Sequence, residues 1–137
     1  MEAMFDRLRP LAHNLWRIVV GFAFWTHGGQ KLFAWFGRDS PVEYISRFGI
    51  AGVIEFFGGL LIMLGLFTRP VAFIISGEMA VAYWWMHAAR NGSIWHWANR
   101  GELVMVFCFS FLFMCAIGGG TFSLDHWLKN RRRGTTS

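Results

Sequence analysis

A chain of 137 residues that is 55% hydrophobic, 18% aromatic and only 15% charged, with 15 Phe and 8 Trp, has more apolar surface than a water-soluble fold of this size can hide. An ordinary soluble domain carries roughly 25% charged residues, so that class is excluded and a membrane-resident unit is expected. The formal net charge of +5 sits mostly in tails and loops, where it suits anchoring at a lipid surface, and the short KNRRR run is too small to argue for nucleic acid.

Four apolar segments follow one another, each near the ~20 residues that cross a bilayer as a helix. The first is predicted over residues 11–36. It is too long for the apolar core of a cleavable signal, and no small-residue cleavage pattern follows, so it is expected to stay in the mature protein. On a helical wheel His27 and Lys31 lie about 40° apart, with Arg17 about 40° beyond Lys31, so all three point one way. The second segment is predicted over residues 50–67 and carries Glu55, with Gly58 and Gly59 one turn further on, where a neighbouring helix can approach closely. Thr68-Arg69-Pro70 marks a tight break, because Pro cannot continue one helix but suits the first turn of the next.

The third segment is predicted over residues 70–88 and brings in Glu78 and His87. These two are nine residues apart, on opposite faces of an ideal helix, so His87 is expected at the interface and not beside Glu78. A connection, AARNGSIWHWANRG, offers Trp95, His96 and Trp97. Its indoles suit a headgroup-level belt, or a lid whose rings stack on a planar ligand such as a quinone. The fourth segment, residues 101–117, opens on Glu102 and ends at Gly118-Gly119-Gly120. It holds the only two cysteines, Cys108 and Cys115, about 10 Å apart along a helix and so unable to pair with each other. A short amphipathic segment is predicted over residues 122–130. The expected fold is all-α: one domain over residues 1–137, an integral-membrane four-helix bundle.

Lys and Arg counts set the orientation. Arg7, Arg9, Arg69, Lys129 and Arg131–Arg133 outnumber Arg38, Arg47, Arg90 and Arg100, which puts both termini in the cytoplasm. Glu55, Glu78, Glu102, His27, His87 and Lys31 then fall in the outer half. A charge facing hydrocarbon costs ~2.5 kcal/mol or more, so these groups are expected to turn inward and meet. Arg17, Arg69 and Asp125 are expected to pair as structural ions at the cytoplasmic end. His27 and His87 differ too much in depth to share a haem, and packing accounts for Met79, Met86 and Met105, so no metal is expected.

Four blocks, in order, carry a resemblance to a known family. RIVVGFAFWTHGGQKLF, EFFGGLLIMLGLFTRPVA, NRGELVMVF and GGGTFSLD together resemble the signatures of the DoxX family of small four-helix membrane proteins. The match carries over to Arg17, His27, Gly28, Lys31, Glu55, Gly58, Gly59, Thr68, Arg69, Glu102, Ser123 and Asp125. The resemblance implies an inner-membrane, multi-pass protein and a role in membrane redox chemistry, since the namesakes are small subunits of a thiosulfate:quinone oxidoreductase. It also implies protein partner subunits, or further copies of the chain.

The leading expectation is a redox-associated subunit that holds a quinone-like head group in its outer half. Glu55 and Glu102 would accept protons, His27 and Lys31 would polarise the quinone oxygens, and Glu78, Trp95 and Trp97 would complete the pocket. Two other classes compete with it. One is a non-catalytic scaffold whose buried charges only fix helix register, and the other is a small solute or proton pathway.

Overall fold

The computed structural model describes residues 1–134; the last three residues of the expected single unit lie outside the described residues. Among the described residues the regular structure is entirely helical. Helix α1 spans Glu2–Phe33, α2 Arg47–Leu64, and α3 Thr68–Ala82, the last running on through a π-helical stretch, Tyr83–Ala88, into Ala89–Asn91. A single turn, α4, covers His96–Asn99; α5 spans Glu102–Ile117 and α6 Leu124–Gly134.

The ends of these helices differ from the apolar segments for local reasons. Helix α1 begins well before Leu11 because it runs through Pro10. There the Asn14 side-chain amide donates back to the Pro10 carbonyl. It ends at Phe33, since Ala34 turns left-handed (φ 55°) and its N–H closes on the Gly29 carbonyl. Helix α2 starts at Arg47 because Ser46 caps it, accepting from the Gly49 N–H at 3.1 Å. It stops where Gly65 (φ 66°) donates to the Ile62 carbonyl and Leu66 N–H to Leu61, a Schellman-type ending. Pro70 then sits in the first turn of α3.

Helix α1 packs chiefly on α2, and α3 on α5. The first contact is built from glycine. A Cβ on Gly28 would strike the Phe56 backbone and the Gly52 carbonyl, and one on Gly59 would strike the Trp25 backbone and the Gly21 carbonyl. The glycines of each helix recur every seventh residue, at 21 and 28 against 52 and 59, so they share one stripe and the antiparallel backbones touch along it. Gly58 faces the other way, onto Ile75 of α3. In the second pair, Ser76 Oγ donates to the Cys108 carbonyl at 2.9 Å. The core joins both pairs: Phe24 packs edge-on against Phe107 and Phe111, with Ile62, Ala72, Ile75, Met79 and Met114 around them. Cys108 and Cys115 are free thiols.

The outside of this bundle is as apolar as its inside. Phe22, Phe57, Phe73, Ile74, Phe109 and Phe113 are all more than half exposed. By length and composition α2 alone among the described residues is apolar and long enough to cross a membrane; α5 is apolar but shorter.

Candidate functional site

The glycine contact between α1 and α2 sets the register at the end of the bundle away from the termini. Because Gly52 lacks a side chain, Lys31 lies directly against it, and Glu55, one turn along α2, comes within reach. Lys31 Nζ donates to Glu55 Oε1 at 2.5 Å. The Glu55 side chain is 5% exposed and that of Lys31 23%.

Helix α3 adds Glu78, within Coulombic reach of both Glu55 and Lys31. Both Glu78 carboxylate oxygens are buried without a hydrogen-bond partner, and so is Glu55 Oε2. His27 stands close enough to act on the Glu55 charge and turns its ring edge to Phe107 of α5, 5.9 Å between centroids. Three helices therefore bring one ammonium, one imidazole and two carboxylates together, and the carboxylates keep three oxygens unanswered. Such oxygens can take protons or accept from hydroxyl groups, which is the capacity of this site.

The other residues singled out in the sequence lie elsewhere. Glu102 is the first residue of α5, and its side chain is 67% exposed and paired with His96 Nδ1 at 3.4 Å. An acid at a helix start is favoured by the free N–H groups there, and nothing draws it into the bundle. Helix α5 therefore lines the cluster with Phe107 and not with an acid. Trp95 and Trp97 are exposed and stack on each other, 5.0 Å apart and 17° from parallel. His87 is turned by the π-helical stretch toward the α4 loop, where its Nδ1 lies 3.1 Å from the Asn99 carbonyl.

At the opposite end, among the described residues, Arg17, Arg69 and Asp125 form no ion pair within 4 Å; the three bridges are Arg9–Asp6, Lys31–Glu55 and His96–Glu102. They serve helix ends instead. Arg17, 1% exposed, donates through Nη1 to the Ile62 carbonyl at 2.6 Å and to that of Met63, and through Nη2 to Phe122 at 2.7 Å. It binds carbonyls in the last turn of α2, adding to the Gly65 N–H that the Ile62 carbonyl already accepts. Asp125 does the converse for α3, accepting from the Phe67 and Thr68 N–H groups at 2.8 Å each. Arg69 lies against Gly118, at the end of α5, where a cation suits the helix dipole.

Two organising residues escaped the sequence reading. Asn99 is fully buried: its side chain donates to Ser93 and accepts from Gly101 N–H, and its carbonyl meets His87 and Asn91. Asn14 ties α1 to the segment before α6, donating to Thr121 Oγ1 at 3.1 Å and accepting from Phe122 N–H at 3.0 Å. The available signal was a lone amide in an apolar helix for Asn14, and an amide beside a glycine turn for Asn99.

Comparison with known proteins places these features in a family. The family model described as DoxX matches residues 12–88. A Haemophilus influenzae protein described only as uncharacterized is 37% identical over 88% of this chain and 93% of its own length. An Escherichia coli protein described as inner membrane protein YphA is 31% identical, with the same coverage of each chain. No solved structure matches.

Proposed function

The chain belongs to the DoxX family, and from that premise we propose that it is a multi-pass protein of a bacterial inner membrane whose Lys31–Glu55–Glu78 cluster receives a quinone-type head group. The four passes are α1, α2, the extended α3 and α5. The girdle of exposed Phe and Ile around them supports this, since such a surface is stable only against hydrocarbon. Helix α5, 16 residues and so about 24 Å long, is short for the ~30 Å core, and the adjoining aromatic loop of Trp95 and Trp97 would sit at that interface. The basic excess at the termini side supports a cytoplasmic location for both ends.

The observation that carries the ligand reading is Glu78, a carboxylate buried in the bundle with no donor for either oxygen. A quinol hydroxyl would donate to Glu78, and the Lys31 ammonium would face an oxygen of the same ring. When a partner protein takes two electrons from the quinol, two protons must leave its oxygens, and Glu78 and Glu55 Oε2 stand ready to receive them. Glu102 has no part in this scheme, because it lies on the rim. Purification in mild detergent followed by lipid extraction tests it. Quinone should co-purify with the wild type and be lost from Glu78→Leu, with the bundle still folded. A quinone-free wild type that also fails to bind a short-chain quinone added back would remove the proposal.

A second reading is favoured by the closeness of the Lys31–Glu55 pair itself. Joined across the glycine contact, it can serve only to fix the register of α1 on α2, in a scaffold that holds partner subunits. That reading assigns nothing to Glu78, so Glu78→Leu would then be silent in every assay of ligand.

A further inference from the structure

The termini end of the bundle holds a groove that the cluster at the other end does not explain. Its floor is Arg17, and its walls are apolar: Ile18 of α1, Met63 and Leu64 of α2, and Phe122 and Trp127 from the C-terminal segment. The guanidinium below is bonded only to backbone carbonyls, which are neutral, and its Nε–H is buried without an acceptor. The acid that acts on it is Asp125, whose two oxygens are both occupied by the Phe67 and Thr68 amides. The groove thus has a cation beneath it that no carboxylate contacts.

More positive charge surrounds the mouth. Helix α6 bears Lys129 and Arg131–Arg133, and Arg131 lies over the Trp127 ring, 4.8 Å from its centroid. Arg7 and Arg9 stand on the first turns of α1, beyond the point where Asn14 joins it to Thr121, and Arg9 is paired there with Asp6. Helix α6 is amphipathic, with Leu124, Trp127 and Leu128 exposed among these charges. Apolar walls over a cationic floor, under a basic rim, match one kind of molecule: two acyl chains ending in a phosphate.

We propose that this groove binds one anionic phospholipid, its chains along Ile18, Leu64 and Trp127 and its phosphate at the rim between α6 and the Thr121 hydroxyl. The charge below at Arg17 holds the phosphate electrostatically, without direct contact, because the guanidinium is buried. Helix α6 then lies along the membrane surface. The site is independent of the quinone reading and stands or falls separately.

Native mass spectrometry of the full chain in detergent tests it, with phosphatidylglycerol and phosphatidylcholine added in equal amounts. Phosphatidylglycerol should be retained as a single bound copy at about fivefold or higher preference. R131Q/R132Q/R133Q should bring that preference close to unity, since each basic group near the surface contributes about 1 kcal/mol, roughly fivefold. W127S, with all charges kept, should also weaken retention, because the wall is lost. Glycerol 3-phosphate at the same concentration should not displace the lipid, since it brings no chains. Equal retention of the two lipids, a preference unchanged in the triple variant, full retention in W127S, or displacement by glycerol 3-phosphate would each overturn the site.

Discussion

At the scale of the residue, the molecule is organised by how each buried charge is answered. Asp125 is fully answered by amides left over at a helix start, and Arg17 is bonded through both Nη groups to backbone carbonyls, with its Nε–H alone lacking an acceptor, and this makes them fasteners. Glu55 is half answered by Lys31, and Glu78 is not answered by hydrogen bonds at all. Leaving a buried polar group in that state costs ~1–3 kcal/mol, so a bundle that needed only packing would be better served by Leu at position 78. Glu78→Leu is therefore expected to raise the thermal midpoint in detergent by a few degrees while abolishing ligand retention. A fall in midpoint would mean that Glu78 is structural. Lys31→Met has the opposite sign. It strands Glu55, whose side chain is almost fully buried, and should destabilise by about 2 kcal/mol, discounted because Lys31 is partly exposed. The double change K31M/E55L should recover most of that loss. A double variant as unstable as the single one would show that the pair contributes more than mutual neutralisation.

At the scale of the element, the α1–α2 glycine stripe determines the site, because only backbone contact lets Lys31 lie on Gly52 and reach Glu55. A side chain at 28 would collide with the Phe56 backbone, which cannot move without displacing α2. Gly28→Val should therefore cost ~1–3 kcal/mol, the usual range for overpacking, and should break the Lys31–Glu55 contact together with the fold's stability. Gly77 is the internal control: a Cβ there meets nothing within 4 Å, so Gly77→Ala should stabilise α3 by ~0.5–1 kcal/mol. Both are read from the midpoint of thermal unfolding in detergent. These elements were only partly legible in the sequence. Hydropathy located the four long helices, and the Gly-Gly pair announced a close approach. Hydropathy does not see a polar first turn, so residues 2–10 of α1 went unrecognised behind Pro10. Nor does periodicity announce a π-helical stretch, which inserts a residue per turn without any change of composition and sends His87 to Asn99.

At the scale of the whole molecule, the convergence of Lys31 with Glu55 and Glu78 was legible because lipid leaves an ionisable side chain few places to go. That constraint weakens at the rim, where Glu102 and the indoles meet water and pair among themselves, so their expected place in the pocket had no force behind it. The same contrast separates the two ends of the bundle. The end with Trp95, Trp97 and Tyr83 carries scattered Arg, and the end with α6 carries most of the basic charge. With the four passes proposed above both termini would lie on the same side, and in a membrane with a negative interior this asymmetry would place that side in the cytoplasm. Cysteine labelling decides it. In a background with Cys108 and Cys115 replaced by Ser, a single cysteine is placed at Ser40, in the α1–α2 connection, or at Gly134, the end of α6. A membrane-impermeant maleimide applied to intact spheroplasts should label the Ser40→Cys variant at once and the Gly134→Cys variant only after permeabilisation. Labelling of both from outside would mean an even number of passes between them, where the proposed topology has three. The reverse pattern would invert the bundle, placing Lys31, Glu55 and Glu78 in the cytoplasmic half, so that any protons they accept would be released on that side.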